Sequence, residues 1–189
     1  LDVDIILYLG LCSGAGWVTE INGKTTVLLG IEKIIELDWS GIDAMNGLIL
    51  HELGHVYQAQ YGVLHREFDA TRDQFLWQLF TEGIAMVFEQ ELVGDPDYFH
   101  QDNGGWKNWC SQNIRRIRQS FYDDLDTMTR GNQRYFGDWT DFTGYGDVGY
   151  YLGACFIRFL LGHDRFENLI SYDMELVRKG FRAFLELDL

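Results

Sequence analysis

The hydrophobic period of this chain changes once, near residue 31, and that change restricts the possible folds more than any other feature. Before it, VDIILYLG, GWVTEI and KTTVLLG are short β-rich runs. Asn22-Gly23 joins the last two, and such a pair marks a hairpin because a type I′ turn needs φ > 0 at both central positions. From Ile31 onward, IEKIIEL, AMNGLILHELGHVYQAQYG and DQFLWQLFTEGIAMVFEQEL repeat apolar residues three and four apart, which is the helical period. Ser40 or Asp43 is placed to cap the second of these helices and Gly62 to end it. Gly94-Asp95-Pro96-Asp97, with the only proline, marks the turn after the third. Residues 131–149 read as a loop rich in Gly, Asp and aromatic residues, followed by a helix from about Val148 to Leu161 and an amphipathic one in MELVRKGFRAFLEL. No repeat, low-complexity tract or linker interrupts this order. The expectation is one α+β domain over 1–189: a small, mainly antiparallel sheet packed on the HELGH helix (about 1–62), then a helical lobe (about 63–189).

Composition narrows the function. A chain of 189 residues with 47% hydrophobic and 15% aromatic content can bury a core and is not disordered. Its net charge of −14, from 29 acidic against 15 basic residues, excludes a nucleic-acid or anionic-membrane surface. The same field suits a catalytic cation and not an anionic substrate. Three widely spaced cysteines form neither a paired disulfide framework nor a C-x-x-C site; Cys12 and Cys155, among apolar and small residues, read as buried packing groups. A reducing, cytoplasmic setting follows as the expectation. No apolar run reaches the roughly 20 residues of a membrane span. The opening LDVDIILYLG lacks a basic n-region, so no signal peptide is expected, and its missing Met fits a segment of a longer protein.

HELGH, residues 51–55, carries the chemistry. A random ordering of this composition would contain H-E-x-x-H with a probability of about one per cent, so context has to support it. On a helix His51 and His55 project the same way, about 6 Å apart, and can share one zinc ion, whose catalytic sites use three protein ligands and leave one position open. Glu52 lies about 100° round the helix, beside the ion, as a base for its water. Leu48, Ile49, Leu50, Leu53 and Val56 make the helix apolar there, so its polar groups need partners. Of Glu67, Asp69, Asp73, Glu82, Glu89 and Glu91, most read as surface charges. Glu82 is the expected third ligand: Phe75, Leu79, Ala85 and Met86 make its face apolar, and Gly83 allows another backbone to approach. Asp69 and His65 are the fallbacks. Glu82→Ala is expected to weaken zinc binding and Glu89→Ala not. His100 and His163 read as exposed polar residues.

HELGH followed 27 residues later by the Glu of TEGIA resembles the gluzincins, in which two helices supply His, His and Glu. More narrowly, HELGHVYQ, LFTEGIAMVFEQELVG and GYYLGACFIRFLL resemble a family of bacterial domains described as zinc-dependent proteases without assigned substrates, over residues from about 25 to 161. The resemblance implies a zincin-like fold, one zinc per chain on His51, His55 and Glu82, and a peptide or protein substrate. Its Gly-Tyr before the last catalytic helix matches Gly149-Tyr150, with Tyr151 adjacent, while Ala154 stands where a second aromatic is expected. Tyr150 would then donate to the oxyanion of a tetrahedral intermediate, with Tyr151 and Tyr145 as alternatives. GWVTEI could be a sheet edge for an extended substrate; Glu20 on it is a candidate amine-binding group. The expected reaction is peptide-bond hydrolysis by a zinc-activated water with Glu52 as general base. The rivals are a zinc-binding regulatory domain without turnover and a metal-free helical interaction module.

Overall fold

A computed structural model describes residues 1–187. It is a mixed α and β structure in which a three-stranded sheet precedes a helical body. The strands are β1 (Asp4–Tyr8), β2 (Gly16–Ile21) and β3 (Lys24–Gly30). Asn22 and Gly23 turn with φ of 53° and 76°, the left-handed values that the hairpin requires. The sheet order is β1-β3-β2; β2 pairs antiparallel with β3, but β1 pairs parallel with it, from Asp4 opposite Thr26 to Tyr8 opposite Gly30. The expected mainly antiparallel sheet is therefore a mixed one. A tight turn orders only the β2–β3 pair; the segment after β1, with Leu11 and Cys12 at φ of 55° and 57°, carries the chain across the sheet so that β1 joins the far side of β3.

The helices are α1 (Ile31–Glu36), α2 (Ile42–Tyr61), α3 (Thr71–Val93), α4 (Trp106–Asp124), α5 (Val148–Leu161), α6 (Phe166–Leu169) and α7 (Met174–Leu185). Gly62 ends α2 and Gly94, at φ 79°, ends α3. Neither Ser40 nor Asp43 caps α2: its N-cap is Gly41, without a side-chain bond, and Asp43 sits in the first turn, where a negative charge faces the helix dipole. α4 and the short α6 add to the helices expected from the sequence; Trp106, Cys110, Ile117 and Phe121, the buried apolar residues of α4, follow a helical spacing.

Two apolar clusters form. Val27, Leu29, Ile34, Leu48 and Val56 join the sheet to α1 and α2, while the larger cluster is built from α3, α4, α5, α7 and the loops between them. Helix α3 lies between α2 and α5. It meets α5 backbone to backbone: a Cβ on Gly83 would stand 2.3 Å from the carbonyl oxygen of Gly153, so only glycine permits this approach. Cys110 is buried and Cys155 half-buried, but Cys12, expected in the core, is exposed in the turn after β1. Among the described residues no helix is long and apolar enough to cross a membrane.

Candidate metal centre

The HELGH glycine brings the two halves of the site together. A Cβ on Gly54 would fall 2.8 Å from Ala85 Cα, so α2 can lie against α3 only because that side chain is absent. The contact sets the histidine face of α2 opposite Glu82. His51 Nε2 and His55 Nε2 then stand 3.2 and 3.3 Å from the same atom, Glu82 Oε2. With metal–ligand bonds of about 2.0–2.1 Å, two donors of a tetrahedral zinc lie about 3.3 Å apart. The spacing thus matches the edge of a coordination tetrahedron, and the donor set suits zinc. The side chains of His51, His55 and Glu82 are 5%, 12% and 17% exposed.

Burial and charge oppose each other here. Burial would lower the His51 pKa, but the Glu82 and Glu89 carboxylates push it up to about 10. Burial would likewise raise Glu82, yet the imidazoles of His55 and His51 hold its carboxyl well below the usual range. One carboxylate oxygen held between two imidazole nitrogens is geometrically able to bind a metal, and a divalent ion there would satisfy all three groups with both histidines neutral.

Glu52 is 4% exposed and forms none of these contacts. Its Oε2 is buried without a hydrogen-bond partner among the described residues, and burial, more than any neighbouring charge, raises its pKa. The backbone of β2 passes directly beside it, since a Cβ on Gly16 would come within 2.5 Å of Glu52 Oε1. Tyr150, near the start of α5, places its ring 5.7 Å from that of His51; burial and then the Glu82 charge raise its pKa well above the ordinary value, so it remains an O–H donor. Tyr151 faces elsewhere, stacked on Phe99, and Tyr145 stacks on Trp109.

Two groups assigned to the surface are in fact part of the site. Glu89 is fully buried and His100 is 7% exposed. The Glu89 carboxylate accepts from His100 Nδ1 at 2.9 Å and lies 3.5 Å from His51 Nδ1, an ion-pair distance without hydrogen-bond alignment. Burial would raise Glu89, but His100 and His51 hold its pKa down, whereas burial lowers His100. A carboxylate behind a ligating imidazole orients the ring and raises its basicity. The readable signal was spacing: Glu89 follows Glu82 by seven residues, two turns along the same face. Asp73, also expected on the surface, is buried and paired with Arg178.

The fallback ligands stay apart from the cluster: Asp69 and His65 are exposed, although His65 lines the cleft. Glu20 is exposed toward the end of β2, and His163 is exposed as expected. The cluster opens into a cleft of about 690 Å³ bordered by Ser13 to Val18, Glu52, Gln78, Phe136 and Tyr150. Comparison with protein families, with curated proteins and with solved structures finds no match.

Proposed function

We propose that this chain is a zincin-like metallopeptidase that hydrolyses peptide bonds with a water activated at a zinc ion held by His51, His55 and Glu82. The observation that carries the reading is a set of three donors within 4.8 Å of one another, His51 and His55 each at tetrahedral-edge distance from Glu82 Oε2, with a buried carboxylate oxygen on Glu52 that has no hydrogen-bond partner among the described residues. When bound, zinc supplies Lewis acidity, polarising a carbonyl and bringing the pKa of bound water towards about 7. A purely structural site would have no use for the adjacent free carboxylate.

The chain's own groups divide the remaining work. Glu52, its basicity raised by burial, takes a proton from the attacking water and delivers it to the leaving amine. Tyr150 donates its O–H to the oxyanion that develops on the scissile carbonyl. β2 is an edge of the sheet and Ser13 to Val18 border the cleft, so its free side offers backbone groups to an extended peptide. Gly16 supports this assignment, because it keeps the strand close to Glu52.

The test is a peptide-library digest read by mass spectrometry, with wild type, Glu52→Gln and Tyr150→Phe at matched zinc occupancy. Glu52→Gln should keep its zinc and lose about 10²- to 10⁴-fold in turnover; Tyr150→Phe should lose about 10²- to 10³-fold. Undiminished cleavage by Glu52→Gln refutes the mechanism, and a fully zinc-loaded wild type that cleaves nothing supports a zinc-binding domain without turnover instead.

A further inference from the structure

Three basic residues border the cleft, Lys33, Arg66 and Arg130. Lys33 is neutralised by the carboxylates of Glu36 and Asp138. Arg66 and Arg130 are not. Both border the cleft in front of the metal cluster and also the hollow beside it, of about 780 Å³, which shares Gln74, Phe75, Trp77 and Gln78 with the cleft. Neither forms an ion pair among the described residues, although Glu67 and Asp69 border the same hollow.

Arg66 is held in place without being neutralised. Its guanidinium lies over the Trp77 ring, 5.4 Å from the centroid, a cation–π contact that uses none of its N–H donors on a carboxylate. The surrounding loop is anchored: Trp77 Nε1 donates to the Leu64 carbonyl, Gln58 Nε2 to that of Val63 and Gln74 Nε2 to that of Phe68. Arg130 approaches from the loop after α4. Arg66 beside the Trp77 ring and Arg130 on the same border thus set two guanidinium groups next to the α3 glutamines, donors of the kind that bind a carboxylate.

From this we infer that Arg66 and Arg130 form a substrate-carboxylate subsite, which makes the cleft selective for peptides that place an acidic side chain or a free C-terminus there. The inference rests on the peptidase reading. Its position follows from α3: Gln78 and Gln74 precede Glu82 by four and eight residues, about 6 and 12 Å of helix, or about two to four residues of extended peptide from the scissile bond. The net charge of −14 argues globally against an anionic substrate, but exposed charges beyond about 8–10 Å are largely screened at physiological salt, so the two local arginines dominate.

The experiment measures binding separately from turnover, by fluorescence anisotropy on the zinc-loaded Glu52→Gln chain. Three labelled decapeptide pools without other acidic residues are compared: one central Glu with an amidated C-terminus, the same pool with Gln, and the Gln pool with a free C-terminus. The Glu pool, the free-carboxylate pool or both should bind about ten- to a hundredfold tighter than the amidated Gln pool, and which pool gains identifies the source of the carboxylate. Adding Arg66→Gln and Arg130→Gln should remove the preference and leave amidated Gln binding unchanged; thermal melts confirm folding, which these residues' lack of ion pairs predicts to be intact. Equal binding of all pools, or a preference that survives both substitutions, overturns the inference. A zinc-free wild type, or full turnover by Glu52→Gln, instead refutes the peptidase reading.

Discussion

Asp147, at the cleft beside the cluster, sets up a pH dependence of stability whose sign can be worked out. Its Oδ1 accepts from Gly137 N–H at 2.7 Å, but burial dominates and raises its pKa from 3.8 to about 6. An acid whose folded pKa lies above its unfolded value binds more protons when folded, so its contribution is fully present below the unfolded value and is lost as pH rises through the folded one. The shift of about two units corresponds to at most about 3 kcal/mol, an upper figure because the carboxyl keeps a path to solvent in the cleft. Asp147→Asn keeps the acceptor for Gly137 and suits the left-handed φ of 56° at this position, but cannot ionise. Relative to wild type, the variant should be stabilised by up to about 1 kcal/mol near pH 4.5 and by up to about 3 kcal/mol near pH 7.5. Urea unfolding at both values, with chelator present so that zinc binding does not enter, measures the difference. A stability difference that stays constant, or shrinks, as pH rises would refute the assignment.

Zinc binding gives the next outcomes. Glu82→Ala removes one of three donors and should weaken zinc strongly, while Glu89→Gln, which alters only the group behind His51, should cost about 10- to 100-fold. Competition with a chromophoric chelator ranks them, and a Glu89→Gln protein that binds zinc like wild type would remove the orienting role. Glu89, expected on the surface, is buried against His51 and His100, and this is the reason for expecting an effect on zinc from its substitution. Gly83→Ala drives a methyl into the Gly153 carbonyl and should cost about 1–3 kcal/mol, seen as a lower denaturant midpoint; an unchanged midpoint would mean that α3 and α5 do not pack as described.

Local order was legible in the chain. The hairpin at Asn22-Gly23, the ends of α2 and α3 at Gly62 and Gly94, and the spans of α5 and α7 follow from backbone preferences and hydrophobic period, which act over a few residues. So does the projection of His51 and His55 from one face, because helix geometry places residues i and i+4 together. Glu82 could be singled out too, since a carboxylate on an apolar face needs a cation. Tertiary contact decided the rest. The parallel β1–β3 pairing depends on how a loop crosses the sheet, which no local period encodes. Glu89 and His100 look like surface groups in sequence, and they become buried partners only when α3 and the following loop close around His51. Arg66 and Arg130 are 64 residues apart, and nothing local marks them as neighbours of one cleft. Periodicity reports which face of an element is apolar; which polar groups meet across that face is set by where glycines such as Gly54 and Gly83 let the helices touch.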